Sequence, residues 1–222
     1  IAVDARCRRR GIGAIMLNEI GRHSLEDGMD TTGASFGATA GLLNFWCQCG
    51  YRPVRLGMRR DTASGTHSVM LLAPITDTAR QVAERLRPIA ARHLHYHLPR
   101  RLAGLEPAVT VALLGALPCP PAPGADDWRE VWAMAHGNRG IADAAPGLAV
   151  VLEHALGMGT AARLPAPRLQ LLVHIILQGV EPAAAAPRFG LSGRRAVEAE
   201  LRDGARTMLR IMGPERLQPS TE

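Results

Sequence analysis

The run Arg8-Arg9-Arg10-Gly11-Ile12-Gly13 has the residue types and spacing to do chemistry in this chain of 222 residues. It follows Ile1-Ala2-Val3, which reads as the end of a buried strand. It precedes a segment whose apolar residues Ile12, Ile15, Met16 and Ile20 fall on one helical face. A strand end, glycines and a helix start together make an anion cradle. Glycines at 11 and 13 let the backbone approach a pyrophosphate closely, and the first N–H groups of the helix have no intrahelical acceptor. The helix dipole adds a partial positive charge, and the three arginines add full ones. A dinucleotide-binding loop would need a third glycine and an acidic residue about 20 positions on. A Walker loop would need Gly-Lys-Ser/Thr, and the chain has no lysine. Neither pattern fits the residues present.

The elements that must position this loop follow from periodicity and punctuation. After the first helix, which the cluster Glu26-Asp27-Gly28 should stop, Thr31–Phe36 is small and β-branched and reads as a strand. A short helix follows with Leu42, Leu43 and Trp46 on its buried side, ended by Gly50. Tyr51–Leu56 and Ser68–Leu72 read as two more strands, joined by a polar connection over 57–67. After Pro74 the strand signals cease. Thr76 is placed to cap a long helix from Asp77 towards His97, with Val82, Leu86 and Ile89 on one side. Further helices are expected at 107–117, 126–136, 146–157, 167–178 and 193–212, with a stiff Pro-rich linker over 118–124. The expected fold class is therefore α/β in residues 1–75, followed by a mostly α-helical domain in 76–222.

A hydrophobic fraction of 47% supports a packed core, and the aromatic fraction of 4% leaves that core to aliphatic side chains. No apolar run reaches the roughly 18 residues of a membrane span. The opening on Ile1, in mid-strand, predicts a longer parent protein, and no signal peptide is recognised. The net charge is +6, and all 26 basic residues are arginine. Guanidinium groups stay charged, grip phosphate in pairs and stack on bases, so such a surface suits nucleic acid; a merely basic soluble protein is the alternative. Cys7, Cys47, Cys49 and Cys119 give no disulfide framework at this length and read as reduced, cytoplasmic thiols. His93, His95 and His97 are two apart, so a helix points them in different directions, and no metal site is expected.

Further residues narrow the reading. The Ile1–Val3 strand with the Arg8–Gly13 loop, Ala34-Ser35-Phe36-Gly37-Ala38-Thr39, Phe45-Trp46, Cys49-Gly50-Tyr51, Pro53-Val54-Arg55 and Ala63-Ser64-Gly65 together resemble the acetyltransferase domain of bacterial tRNA(Met) cytidine acetyltransferases, a GNAT-type domain. Asp126-Asp127-Trp128 and Leu191-Ser192-Gly193-Arg194-Arg195 are similar to pieces of that family's C-terminal tRNA-binding domain. The resemblance is dense over 1–75 and sparse but collinear beyond.

This resemblance implies the second half of a GNAT fold, with acetyl-CoA as donor and the N4 amine of the wobble cytidine of elongator tRNA(Met) as acceptor. It also implies an ATP-driven module ahead of this segment. Ile1, Ala2 and Val3 would hold the pantetheine arm, and Arg8, Arg9, Arg10, Gly11, Ile12, Gly13 and Ala14 would cradle the pyrophosphate. The doublets Arg59-Arg60, Arg100-Arg101 and Arg194-Arg195, expected in loops or at helix starts, are candidates for RNA phosphates or simply solvated surface. Trp46 and Tyr51 are either stacking platforms or core. The chain departs from the family where relatives carry His, at Asp4, and on the second helix at Gly41 and Gln48. Asp4 or a cysteine is a base or a structural residue, and no catalytic residue is named. A GNAT enzyme acting on a protein or small-molecule amine, and a non-catalytic RNA-binding fragment, are the alternatives.

Overall fold

The computed structural model describes residues 3–62 and 65–214. The first of two compact units covers Ile1–Arg92 and the second His93–Glu222. In the first, a 3-10 turn at Ala5–Cys7 precedes α1 (Ile12–Glu26), β1 (Thr31–Gly37), α2 (Ala40–Gln48), β2 (Arg52–Arg60) and β3 (His67–Pro74). The helix α3 (Asp77–His97) follows, and the division between the units falls inside it.

The three strands make one antiparallel sheet in the order β1-β3-β2. Alternation along β3 buries Val69 and Leu71, as a strand with one covered face requires. The pairing of β1 with β3 runs unbroken from Thr31↔Pro74 to Gly37↔Ser68, whereas β2 slips register between Pro53 and Arg55. Pro53 has no N–H to give a ladder and stands, as expected, in an edge strand.

Several sequence expectations are corrected here. β2 continues to Arg60, so residues 57–60 belong to the strand and not to the connection. Gly57 looks like a turn residue in sequence; in the fold it allows a close approach, since a Cβ there would stand 2.3 Å from Ser68 Oγ. On α1 the expected buried face is largely open: Ile15, Met16 and Ile20 are exposed, and Leu17 is the buried residue. The described sheet has only three strands, too narrow a surface to cover a wide helical stripe. Leu42, expected inside, is also exposed, while Leu43 is fully buried. On α3, Val82 and Ile89 are exposed, and the buried positions are the smaller Ala79 and Ala83 in its first half and Leu94 near its end. Thr76 does cap α3, its Oγ accepting from Ala79 N while donating to Asp30.

The second unit is helical: α4 (Pro107–Ala116), α5 (Ala125–His136), α6 (Ile141–Gly157), α7 (Ala166–Leu172), α8 (Pro182–Ala185) and α9 (Arg194–Met212). α6 begins five residues before the expected 146 and holds Pro146 inside. The expected helix over 167–178 is interrupted by a π turn at Val173–Leu177, and α8 and two 3-10 turns were not anticipated. Val131, Met134, Leu148, Leu152, Leu172, Leu201 and Met208 are fully buried, each contributing about 1.5–3 kcal/mol of transfer free energy. Close packing of α9 on α7 requires Gly204, where a Cβ would stand 2.9 Å from Leu172. Among the described residues no helix is long and apolar enough to cross a membrane.

One polar network lies inside this core. Gln178, fully buried just after the π turn, donates through Nε2 to the carbonyls of Leu102 and Leu105 at 3.1 and 2.8 Å. Its Oε1 accepts from the His174 ring at 3.0 Å. Removing the amide leaves several buried groups without partners, at about 1–3 kcal/mol each. Gln178→Ala is therefore expected to lower stability by about 2–4 kcal/mol, read as a fall in the urea midpoint of the far-UV circular dichroism transition.

Candidate cofactor-binding site

The Arg-rich loop is built on two left-handed residues. Arg9 has φ +60° and Gly11 φ +79°. Side chains other than Gly resist that region by about 1–2 kcal/mol, so Gly11 is the residue that lets the chain turn into α1. Gly11 is also the N-cap of α1 and, having no side chain, takes none of the first N–H groups. Ile15 N bonds to Gly11 O at 3.1 Å, while the N–H groups of Ile12, Gly13 and Ala14 find no acceptor among the described residues. Arg8, Arg9, Arg10 and Gly11 are exposed, and Ile12, Gly13 and Ala14 are half-buried. α2, in contrast, is capped by the Thr39 hydroxyl, which accepts from Leu42 N.

Gly13 plays a different part from Gly11. A Cβ at Gly13 would stand 3.0 Å from the tip of the Phe45 ring, so its smallness lets α1 close on α2. Val3 is tied to the loop by Arg8, whose Nε donates to Val3 O at 3.3 Å. Ile1 and Ala2 lie outside the described residues.

α1, β1 and α2 enclose an open cleft of about 620 Å³. Leu17 and Ile20 line it from α1, the run 32–36 from β1, and Leu42 and Trp46 from α2, with Tyr51 completing it. A run of five consecutive strand residues means that the cleft lies along the strand's edge. β1 is an edge strand and pairs only with β3 among the described residues, so its other side presents backbone N–H and C=O groups. Edge position is a property of the sheet, and no residue of β1 marks it in sequence. Tyr51 is buried, its hydroxyl 3.0 Å from Thr32 Oγ, and Trp46 packs on Phe36, Phe45 and Tyr51. Both aromatic residues hold the cleft wall.

The candidate bases have other partners. Asp4 caps the Ala5–Cys7 turn, and its hydrogen bonds from Arg6 hold the carboxyl below its usual range. Burial pushes the Cys47 thiol up, with Arg52 a smaller opposing influence, and burial does the same to Cys49. A stabilised carboxylate and protonated thiols are poor proton acceptors at neutral pH. Gly41 and Gln48 are exposed on α2.

The arginine doublets stand on separate elements. Arg59-Arg60 end β2, not a loop as expected; Arg100-Arg101 follow α3; and Arg194-Arg195 open α9. All six are exposed. Arg100 lies over the Tyr96 ring at 4.3 Å, and Arg194 pairs with Glu198 at 2.7 Å, which raises its pKa. Of the histidine tract, His95 approaches Glu153 at 2.9 Å without hydrogen-bond geometry, and His97 meets Tyr96 edge-on.

Comparison with known proteins places residues 3–76 in a match to the family described as GNAT acetyltransferase 2. The chain is 36% identical over 141 residues to the tRNA(Met) cytidine acetyltransferase TmcA of Nitrosococcus halophilus, covering 63% of this chain and 19% of that protein. It is 32% identical over 207 residues to the protein of the same name from Vibrio cholerae, covering 91% and 27% respectively. Against the Haloarcula marismortui protein the identity is 38% over 116 residues, covering 52% and 15%. The chain thus spans about a quarter or less of the length of these relatives.

The two glycines should respond differently to a methyl group. Gly11→Ala is expected to destabilise the first unit by about 1–2 kcal/mol through its left-handed backbone. Gly13→Ala should cost less than about 1 kcal/mol, because the neighbour is the end of a ring that can tilt. Thermal unfolding of both variants checks this order, and an equal or reversed ranking would contradict the geometry.

Proposed function

We propose that this chain, which matches a GNAT acetyltransferase family over residues 3–76 and is similar over most of its length to tRNA(Met) cytidine acetyltransferases, is the C-terminal part of an enzyme that acetylates N4 of the wobble cytidine in elongator tRNA(Met). In this reading acetyl-CoA is the donor, ATP is used by a module outside this chain, and the enzyme works in the cytoplasm. Residues 1–75 are the acetyltransferase portion, and 76–222 form the tRNA-binding domain.

The observation that carries the reading is the uncapped start of α1 behind three exposed arginines. Unpartnered N–H groups, the positive end of a helix and guanidinium groups are what a pyrophosphate needs. Arg8, Arg9 and Arg10 with the backbone of Gly11–Ala14 would hold it, and Ile1, Ala2 and Val3 would lie along the pantetheine arm. The exposed edge of β1 faces the same cleft and offers amide partners to an extended, amide-bearing chain. Acetyl-CoA supplies an activated thioester.

Cytidine N4 is a weak nucleophile, because its lone pair is delocalised into the ring. Orientation and hydrogen bonding to developing charge therefore matter more than a strong base. The lowered Asp4 carboxyl, hydrogen-bonded by Arg6, and the Cys47 and Cys49 thiols raised by burial agree with that emphasis. A wobble base lies in a single-stranded loop, so presenting it costs little unstacking. Arg59, Arg60, Arg100, Arg101, Arg194 and Arg195 are the proposed phosphate contacts of the tRNA.

The test is twofold. The enzyme containing this segment, given acetyl-CoA, ATP and a tRNA(Met) transcript, should yield one acetylated cytidine by mass spectrometry; transfer to a peptide and not to RNA would overturn the substrate. In the 222-residue chain, Gly11→Val should abolish acetyl-CoA binding by calorimetry while the helical circular dichroism signal persists. Unchanged affinity would overturn the placement of the pyrophosphate.

A further inference from the structure

A second basic site lies in the helical unit, formed by residues outside the arginine doublets. The last turn of α5, α7 and the second half of α9 surround a cavity of about 330 Å³, lined by His136, Arg168, Asp203, Arg206, Thr207 and Arg210. Three guanidinium groups face one carboxylate there. Two helix C-termini, those of α5 and α9, would ordinarily make such a place negative. That field is offset at α5: Arg202 donates to the carbonyls of Met134, Gly137 and Arg139, and Arg206 Nε donates to Ala135 O at 2.9 Å.

The remaining donors are held in place, not saturated. Arg206 also pairs with Asp203, and Arg168 Nε donates to Glu200 at 2.9 Å. Each guanidinium carries five N–H donors, so both keep several for another acceptor. Arg210 is exposed, and its partner among the described residues is the Thr207 hydroxyl at 3.3 Å. It contributes neither to the α5 cap nor to a described ion pair, so its charge is available.

Beside the cavity stands Trp132. It lies one helical turn before His136, its ring 5.4 Å from the imidazole, and is 42% exposed. Trp128, a further turn back on the same helix, is 5% exposed and packs in the core. Trp132 thus offers an open π-face next to a cluster of phosphate-binding side chains, the combination by which single-stranded nucleic acid is held.

We propose that this place is a nucleotide subsite for single-stranded RNA, with one base stacked on Trp132 and the adjoining phosphodiester held by Arg210, Arg206 and His136. The proposal rests on the reading of the helical unit as an RNA-binding domain and assigns it residues outside the Arg doublets. A free nucleotide would present the same phosphate and base, and the experiment separates the two sources.

The 222-residue chain is titrated against a fluorescein-labelled single-stranded oligoribonucleotide and against the anticodon stem–loop of tRNA(Met), with anisotropy as the readout. Trp132→Ala should weaken binding about 5- to 30-fold, while Trp132→Tyr should retain it within about twofold, because stacking survives. Arg210→Gln should weaken it similarly and lower the slope of log affinity against log salt by about 0.7, whereas Trp132→Ala should leave the slope unchanged. Both positions are exposed, and circular dichroism confirms that each variant is folded. If the wild-type chain binds RNA and Trp132→Ala and Arg210→Gln bind equally well, this subsite is overturned while the RNA-binding reading stands. If the wild-type chain binds neither RNA, both fall. Displacement of the probe by micromolar cytidine monophosphate would overturn RNA in favour of a free nucleotide, and displacement by polyglutamate at matched charge would overturn it in favour of an acidic peptide.

Discussion

The start of α1 depends on a backbone conformation that favours glycine. At φ +79° Gly11 turns the chain from the Arg8–Arg10 turn into a fifteen-residue helix and offers the first turn no capping oxygen. The preceding Arg9, at φ +60°, is held in the same disfavoured region. A Ser or Asp at that cap would have taken one of the exposed N–H groups, as Thr39 does at the start of α2. Leaving them open costs helix stability and yields a concentrated site of positive potential. The rest of the first unit supports this arrangement. Arg8 ties Val3 to the loop, Phe45 braces the first turn at Gly13, and further along α1 Leu17 and Ile20 line the cleft along β1.

In the helical unit, arginine has two jobs that its geometry makes compatible. Arg202 and Arg206 reach from α9 to the carbonyls that end α5 and so satisfy acceptors that would otherwise face water or each other. A lysine in place of Arg202 would need all three of its N–H groups, which radiate from one point, to meet the same three carbonyls. The absence of lysine from the chain therefore has a structural consequence as well as an electrostatic one. Elsewhere in the same unit, Gln178 joins the π turn to the 102–105 turn, so the core is fixed by hydrogen bonds as well as by apolar packing.

Much of this was legible in the sequence, and the failures have physical reasons. Helix starts and stops marked by local chemistry were readable: Gly11, Thr76 and Gly50 each act where punctuation placed them. What a face packs against was not, because that depends on residues far away. Ile15, Met16 and Ile20 have helical spacing and are nonetheless exposed; Val82 and Ile89 give way to Ala79 and Ala83; Leu42 faces the cleft and not the core. Gly57, the first residue of the polar connection expected over 57–67, lies instead within β2, where it accommodates Ser68 across the hairpin. The π turn and the early start of α6 involve Val173–Leu177 and Pro146, where tertiary packing overrides local preference.

The two glycines of the loop show where a motif ends and a structure begins. In sequence they form a single spacing, Gly-x-Gly, and a single explanation, close approach to phosphate, covers both. In the fold their causes separate. Gly11 has open space around its missing side chain and is required by φ, whereas Gly13 has ordinary helical backbone and is required by the Phe45 ring. The first constraint is intrinsic to the backbone, since no neighbour can move to relieve a φ angle. The second is negotiable, since the ring can tilt by a few tenths of an ångström. A pattern that demands glycine at the first position and admits alanine at the second follows from that difference alone. It needs no ligand to explain it, so the spacing by itself is weaker support for a bound anion than the unpartnered N–H groups that Gly11 leaves behind.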